Sequence, residues 1–384
     1  MPRSKPVRAM STSEKSRLTF PFQLLPLLLA ALLLCAPGII TGQSSASLAP
    51  GPKPPDVPQA WKPWIGEYWF GPYFPQSTAR AFGTVYALSE KDGVIWILQQ
   101  EGKAEEPSYK PREKFALNQP PPADAAHGGR LHWDSSGEHR MLLMGDIGNV
   151  KITPDFNAPQ QVLITPVRSV AELRTEALAA SPPHEDGTFR KPELVELTTL
   201  DPAIHLDIRY ATTNDFLGTP VYTQARAFMQ RPAAEALVRA LHKLQPLGYG
   251  LLIHDAYRPW YVTKIFWDAT PPEGKIFVAD PSQGSRHNRG CAVDLTLYDL
   301  ATGKPIEMPG TYDEMSPRSF PDYPGGTTLQ RWHRDLLRRA MESEGFTVYD
   351  HEWWHFDYKD WREYPILNIK FEDLHSGQGL ASAQ

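Results

Sequence analysis

The sequence predicts an α+β protein, in which a small β-rich domain precedes a larger domain of interspersed helices and antiparallel strands. Three patterns support this class. An Asp92-Gly93 turn between two apolar runs is typical of a β-hairpin. The segment Arg231 to Leu247 has proline at a helix-start position, apolar residues at helical spacing and Gly248 as a stop. The segment Cys291 to Leu297 alternates in the manner of a half-buried strand.

Residues 1–43 are predicted to be an export signal. A segment with several Lys and Arg residues precedes an apolar run from Leu24 to Ile40, and a small and polar stretch follows. The part from Leu27 to Ala36 is well short of the ~20 residues that a membrane-spanning helix needs, which favours a cleaved signal over an anchor. We therefore expect an exported protein of the periplasm or cell envelope.

The two cysteines and the net charge exclude several classes. Lipid attachment at Cys35 is disfavoured, because Leu34 stands where lipoprotein signals normally have a small residue. Removal of the signal leaves Cys291 as the one cysteine, so we expect no internal disulfide. A net charge of −5 and the lack of a long basic run argue against nucleic acid as a partner.

The β-rich domain is predicted over residues 61–170. A flexible lead at 44–60, rich in Pro, Ser, Ala and Gly, comes before it. Turn residues separate short strands, which favours a small antiparallel sheet or barrel. Its aromatic residues between Trp61 and Phe74 are interpreted as core rather than as a ligand surface. Beyond the hairpin, strands are expected near residues 130–133, 140–144 and 149–152.

The second domain is predicted over residues 193–375, after a connection at 171–192 and before a tail at 376–384. Its last predicted helix, at 329–344, has an apolar stripe that contains Trp332 and Leu336. The elements expected besides the helix at 231–247 are helices at 260–267 and 329–344 and strands at 249–254, 292–297 and 347–349.

Asp294 and His287 form the first half of a candidate metal site. In the alternating strand, Asp294 lies on the face opposite Val293, and a carboxylate in such a strand needs a cation or hydrogen-bond donors. His287 lies in the Gly-flanked turn just before the strand. A shared metal satisfies both, although this segment alone is equally compatible with a loop-capping aspartate and a surface histidine.

Glu352 and His355 supply the second half. A spacing of three places two side chains on one face of a helix but on opposite faces of a regular strand. Because residues 347–358 are β-prone, we expect a turn or bulge that brings both toward the metal, with His351 as a competing ligand. Two imidazoles and a carboxylate suit zinc and leave a position for water, whose proton a free carboxylate can accept.

Arg258 follows a buried strand, which is where a fixed cationic side chain could reach a cleft. It could stabilise the oxyanion of a tetrahedral intermediate. A structural ion pair with Asp255 is an equally good interpretation of this segment alone. The residues by themselves therefore predict metal-assisted hydrolysis without naming a substrate.

These motifs resemble those of the D-alanyl-D-alanine dipeptidases, a family that includes the vancomycin-resistance dipeptidase and is related to the zinc D,D-carboxypeptidases. The resemblance spans roughly residues 193 to 371. It implies a hedgehog-like fold with a central antiparallel sheet flanked by helices. The matching segments are Ser285-x-His287-x-x-Gly290-x-Ala292-x-Asp294, Glu352-Trp353-Trp354-His355, Ala256-Tyr257-Arg258-Pro259 and Asp207-Ile208-Arg209-Tyr210-Ala211-Thr212.

Carried over by position, the resemblance implies one zinc ion per chain with three protein ligands, His287, Asp294 and His355. It implies Glu352 as general base and acid, and Arg258 as the residue that stabilises the transition state. Three further residues would hold the substrate's ammonium group or shape the pocket, namely Ser285, Asp313 and Tyr210. The chain departs from the family's usual pair of asparagines at one place, where it has Asn214-Asp215.

The implied reaction is hydrolysis of D-alanyl-D-alanine, or a similar short D-amino-acid peptide, in peptidoglycan turnover. One alternative is a zinc D,D-carboxypeptidase that trims stem peptides, against which an ammonium anchor at Asp313 argues. Another is a non-catalytic envelope-binding protein with structural zinc, which would not require Glu352. Since the resemblance does not explain the β-rich domain, we expect that domain to limit access or to contact the cell envelope.

Overall fold

The computed structural model describes residues 48–70, 84–103, 106–117, 141–144, 147–151 and 163–374. All of them belong to one compact unit, Ala46–Gln384. The predicted export signal, the strand expected near 130–133 and the tail at 376–384 lie outside the described residues. Within the described ranges, no helix has both the length and the apolar character needed to cross a bilayer.

The first sheet has six antiparallel strands in the order β4-β3-β2-β1-β6-β5. The predicted hairpin is confirmed: β2 pairs with β3 in a register that places Lys91 opposite Val94. Asp92 and Gly93 have φ angles of 54° and 75°, as a two-residue hairpin turn requires. The strands are β1 (Gly66–Phe70), β2 (Thr84–Lys91), β3 (Val94–Lys103), β4 (Glu106–Ala116), β5 (Met141–Met144) and β6 (Ile147–Lys151).

The first sheet has a small core of its own. Trp61, Trp64 and Tyr68 are buried in it with Ile95 and Ile97, which agrees with the core interpretation of these aromatic residues. Trp61 also donates a hydrogen bond from Nε1 to the carbonyl of Leu117 at 3.1 Å. The core interpretation is thus confirmed for Trp61, Trp64 and Tyr68, whereas the other aromatic side chains up to Phe74 lie outside the part that the structure describes.

The second sheet has five strands in the order β12-β13-β11-β10-β8. It is antiparallel except that β8 and β10 are parallel, which corrects the wholly antiparallel prediction. A helix lies in the chain between these two strands and provides the crossover that parallel neighbours need. The strands are β8 (Ile204–Leu206), β10 (Tyr249–Asp255), β11 (Ala292–Asp299), β12 (Phe346–Tyr349) and β13 (Glu352–Tyr358), while β7 (Leu194–Glu196) pairs with β9 (Phe228–Gln230).

Four helices accompany this sheet: α1 (Val170–Ala179), α2 (Arg231–Leu244), α3 (Trp260–Ala269) and α4 (Thr328–Glu342). The last three confirm the predicted helices. Helix α4 begins with a capping box between Thr327 and Gln330, and it packs against α2 and the sheet. Helix α1 begins before, and lies mostly within, the segment predicted to be a connection. Its buried residues Val170, Leu173 and Ala177 have helical spacing, so the sequence contained a signal for this helix that the prediction missed.

The lead that the sequence predicts to be flexible makes defined contacts. Leu48 and Ala49 pack against the main core, and Trp332 of α4 donates from Nε1 to the carbonyl of Gly51 at 3.1 Å. The Lys53 ammonium lies 5.3 Å from the centre of the Tyr249 ring. The described part of the lead, residues 48–60, forms no helix or strand; its first residues pack against α4 and the second sheet, and Val57 is buried in the core of the first sheet.

Candidate metal centre

Strand β11 directs Asp294 away from the core. Val293, Leu295 and Leu297 are fully buried in the main hydrophobic core, so the alternation of a strand turns Asp294 to the opposite face. Asp294 pairs with Asp255 of β10 on one side and with His355 of β13 on the other. Two neighbouring strands therefore bring polar residues to the position where Asp294 emerges.

The β12–β13 hairpin contains the predicted irregularity. Val348 pairs with Phe356, but the next residue, Tyr349, pairs with Glu352, so β13 has extra residues at this point. This shift brings Glu352 and His355 to the same cavity, although their spacing of three would separate them on a regular strand. The competing ligand His351 lies outside the cluster, with its Nδ1 3.5 Å from the Tyr349 hydroxyl.

The ligand atoms of His287, Asp294 and His355 lie within 4.8 Å of one another. Nε2 of His287 is 3.0 Å from Nδ1 of His355. Oδ1 of Asp294 is 3.3 Å from the first of these nitrogens and 3.1 Å from the second. The structure thus brings together the three residues that the sequence predicts as ligands.

Hydrogen bonds on the far side of each ring determine which nitrogen faces the cluster. Nδ1 of His287 donates to the carbonyl of Ala256 at 2.6 Å, because a carbonyl can only accept. Nε2 of His355 donates to Oδ1 of Asp357 at 2.9 Å, and Asp357 is itself paired with Arg286 at 3.2 Å. In the neutral rings, the two nitrogens that face Asp294 therefore carry lone pairs, which is the arrangement that metal ligation needs.

The charge of the cluster also suits a cation. Burial alone would raise the pKa of Asp294, but the adjacent rings of His287 and His355 hold it well below its usual range. Burial would lower the pKa of His355, but Asp357 and Asp294 raise it to about 10. Asp294 Oδ1 is buried and accepts no hydrogen bond from any residue within the described ranges. The donor set and this unsatisfied oxygen fit a divalent metal, which would take the place of a proton.

Glu352 lies beside the three ligands without belonging to their cluster. Its Oε2 is 3.7 Å from Nδ1 of His355, and its side chain is 15 % exposed in the cavity. Burial raises the pKa of Glu352 to about 7; His355 opposes the shift and the Asp294 carboxylate adds to it. A carboxyl group with this pKa can both accept and return a proton near neutral pH.

Arg258 forms the ion pair that the sequence suggests and also reaches the cavity. Its guanidinium is paired with Asp255 at 2.8 Å and lies 3.7 Å from Asp294. The same group stacks over the rings of Phe266 and Tyr210, 4.9 and 5.4 Å from their centres. Because Arg258 also lines the cavity, the ion pair fixes the guanidinium without removing it from the site.

The cavity has a volume of about 470 Å³, which is in the usual range for small-molecule sites. The remaining predicted residues, Ser285, Asp313 and Tyr210, all line it. Ser285 also accepts a hydrogen bond from the backbone N–H of His287 at 3.2 Å, so it stabilises the turn that carries His287. Asp313 has a φ of 56°, and its buried Oδ2 has no hydrogen-bond partner in the described part of the chain.

Three supporting residues were not predicted as part of the site. Tyr312 donates to Oδ2 of Asp294 at 3.2 Å and stacks on His254. Asp255 was predicted only as an ion-pair partner, yet it also accepts from Tyr222 at 2.6 Å. Asp357 could have been found, because it stands two residues after His355 and therefore on the same strand face.

Two imidazoles and a carboxylate that can bind a metal, with a glutamate side chain beside them at the same cavity, are typical of metal-dependent hydrolases. A family model described as D-ala-D-ala dipeptidase matches residues 190–374. The chain is 35% identical over 179 residues to the D-alanyl-D-alanine dipeptidase of Escherichia coli (strain K12), covering 47% of this chain and 91% of the relative.

Two further relatives carry the same name. The D-alanyl-D-alanine dipeptidase of Enterococcus faecium is 35% identical over 201 residues, which cover 46% of this chain and 98% of that protein. The one of Streptomyces coelicolor is 35% identical over 175 residues, which cover 41% of this chain and 87% of that protein. The chain belongs to the D-alanyl-D-alanine dipeptidase family and is a peptidase.

Proposed function

We propose that this protein is a zinc-dependent dipeptidase that hydrolyses D-alanyl-D-alanine to free D-alanine. One observation carries the chemistry: the ligand atoms of His287, Asp294 and His355 converge beside Glu352 at the wall of one cavity. The names of the relatives supply the substrate. The β12-β13-β11-β10-β8 sheet with its helices supports a hedgehog-like D,D-peptidase domain.

His287, Asp294 and His355 would hold one zinc ion. A zinc ion supplies Lewis acidity, which lowers the pKa of water and polarises a carbonyl group. The hydrogen bonds to Ala256 and Asp357 keep both rings oriented, so the ligands need little rearrangement to bind. Glu352, 3.7 Å from His355, would accept a proton from the attacking water and return it to the leaving amine.

Arg258 would stabilise negative charge on the carbonyl oxygen in the transition state. Its pairing with Asp255 at 2.8 Å and its packing on Phe266 hold the guanidinium in place before the substrate binds. Such preorganised donors cost no reorganisation during the reaction. Tyr210 would shape the pocket beneath this group.

Asp313 would bind the ammonium group of the dipeptide, together with Ser285. Burial raises the pKa of Asp313 well above its ordinary value, and Asp294 and Glu352 add to the shift. A cationic substrate group would offset that repulsion and give the unpaired Oδ2 a partner. An anchor for a free ammonium group selects dipeptides over longer stem peptides.

The proposed setting is the turnover of cell-wall peptides outside the cytoplasm. The basic and apolar pattern of residues 1–43 supports export, and the substrate class supports the periplasm or cell envelope. The first sheet could also contact the envelope. Its removal is expected to change localisation or specificity while zinc binding is retained.

The direct test measures the free alanine released from D-alanyl-D-alanine, from a stem pentapeptide and from L-alanyl-L-alanine. The zinc-loaded protein is compared with Glu352→Ala, and zinc content is measured in both. We expect activity on the D,D-dipeptide alone, lost in Glu352→Ala with zinc retained. Cleavage of the pentapeptide would instead establish a carboxypeptidase, and bound zinc without hydrolysis of any substrate would favour a binding protein.

A further inference from the structure

Residues 309–327, here called the anchor loop, connect the region after β11 to α4. Asp313, Glu314 and Met315 of this loop line the cavity. Apart from a 3-10 turn at Pro317–Ser319, the anchor loop has no regular secondary structure. Its conformation, and with it the position of Asp313, therefore depends on local turns and on contacts with the rest of the protein.

One set of contacts lies within the anchor loop. The buried carboxylate of Glu314 accepts hydrogen bonds from the Thr311 N–H at 3.0 Å, the Ser316 hydroxyl at 2.9 Å and Arg318 at 3.1 Å. Arg318 also donates to the carbonyl of Pro309 at 2.8 Å. These bonds surround Asp313 in sequence and hold it at its positive φ.

A second set ties the loop's C-terminal end to the β2–β3 hairpin of the first sheet. The Glu90 N–H donates to the carbonyl of Gly326 at 2.9 Å, and the Thr328 N–H donates to Glu90 Oε2 at 2.7 Å. The Ser89 hydroxyl lies 3.1 Å from the carbonyl of Pro324 and 3.0 Å from that of Gly326. Ser89 and Glu90 are 1 % and 4 % exposed, so these polar contacts are shielded from water.

A third contact reaches the middle of the anchor loop from β1 and β4. The ring of Tyr109 meets that of Tyr323 edge to face, with centres 5.5 Å apart. The Tyr109 hydroxyl donates to Glu67 at 3.3 Å. Burial would lower the pKa of Arg318, but Glu314 raises it, with Tyr323 and Glu67 contributing. The charge of Glu67 in the sheet thus acts on Arg318, which donates to Glu314, the residue next to Asp313.

We propose that the first sheet is a positioning element for substrate binding: it fixes the anchor loop, and thereby Asp313, in the conformation that receives the substrate's ammonium group. The family match begins at residue 190, so these contacts come from outside the matched segment. The role of Asp313 in this inference rests on the proposed function. If only a fraction of molecules has the loop in place, the apparent affinity falls by that fraction.

The test uses the full-length, zinc-loaded chain with the double substitution Ser89→Ala and Glu90→Gln. The first change removes the serine hydroxyl. The second removes the negative charge of the carboxylate that accepts the Thr328 N–H, and both leave the hairpin in the chain. The matched control is Lys110→Ala on the same sheet, whose exposed ammonium pairs with Glu101. In the double variant, we expect faster hydrogen exchange at residues 309–327 and a KM for D-alanyl-D-alanine raised about tenfold, since the Ser89 hydrogen bond is lost and the one to Glu90 weakens. We expect kcat and zinc content to be unchanged.

A double-mutant cycle with Asp313→Asn separates positioning from general destabilisation. If the sheet acts through Asp313, the hairpin substitutions will raise KM much less in the Asp313→Asn background than in the wild type. Full additivity would overturn the inference, and so would unchanged exchange in the anchor loop, whether or not the protein cleaves this dipeptide. Absence of dipeptide cleavage with faster loop exchange would refute the proposed function while supporting the role of the sheet in fixing the loop.

Discussion

Asp215 is a buried carboxylate whose ionisation should destabilise the protein. It is 1 % exposed, and its Oδ1 accepts hydrogen bonds from the N–H groups of Leu217 at 2.8 Å and Thr219 at 3.3 Å. Its Oδ2 is buried without a hydrogen-bond partner among the described residues. Burial raises the pKa of Asp215 from 3.8 to about 6, against the opposing backbone hydrogen bonds. An asparagine would keep the Oδ1 contacts and remove the charge.

The size and sign of the effect follow from proton linkage. Between pH 3.8 and about pH 6 the folded chain binds more protons at Asp215 than the unfolded chain, so stability falls as pH rises through this window. The contribution is fully present below the unfolded pKa and is lost above the folded one. A shift of roughly two pKa units corresponds to about 3 kcal/mol at pH 8, and about half of that at pH 5.

We therefore expect Asp215→Asn to raise the free energy of unfolding by about 3 kcal/mol at pH 8, by less at pH 5, and by almost nothing below pH 4. Urea unfolding at each pH measures this difference. The control is Asp186→Asn, because the side chain of Asp186 is 100% exposed. A loss of stability at pH 8, or a gain that does not change with pH, would show that ionisation of Asp215 does not destabilise the folded chain.

Three further predictions concern the site. Replacing Asp357 by alanine removes the acceptor of the hydrogen bond from His355 Nε2, so the zinc affinity should fall about 10- to 100-fold. Chelator competition measures this affinity, and an unchanged value would contradict the prediction. Arg258→Lys should lower kcat about 100- to 1000-fold, because one ammonium group cannot both pair with Asp255 and serve the cavity; steady-state kinetics with a kcat near wild type would argue against the role. Chelation should abolish D-alanine release and added zinc should restore it, whereas activity that persists in the metal-free protein would exclude the proposed chemistry.

Much of the site could be predicted because its signals are local. Alternation along β11 determined the face of Asp294, and a Gly-flanked turn put His287 beside it. The approach of Glu352 to His355 required a register shift in β13, which the sequence could suggest only as a turn or bulge. The contact of Tyr312 with Asp294 was not predictable, because it joins a loop to a strand 18 residues away.

Strand β4 shows where pattern reasoning fails. Its segment Glu106–Ala116 contains Pro107 and Pro111 and many charged residues, so it lacks the usual strand composition. The strand lies at the edge of the first sheet, where proline and charge are tolerated. Tertiary pairing with β3 therefore overrides the local preference, and a single sequence does not report that pairing.

Diffraction from zinc-loaded crystals at the zinc absorption edge would locate the metal among its proposed ligands. We expect one anomalous peak about 2.0–2.2 Å from Nε2 of His287, Nδ1 of His355 and a carboxylate oxygen of Asp294, with Glu352 outside the coordination sphere. A peak bound through the opposite ring nitrogens, a peak on His351, or Glu352 as a zinc ligand would contradict this expectation.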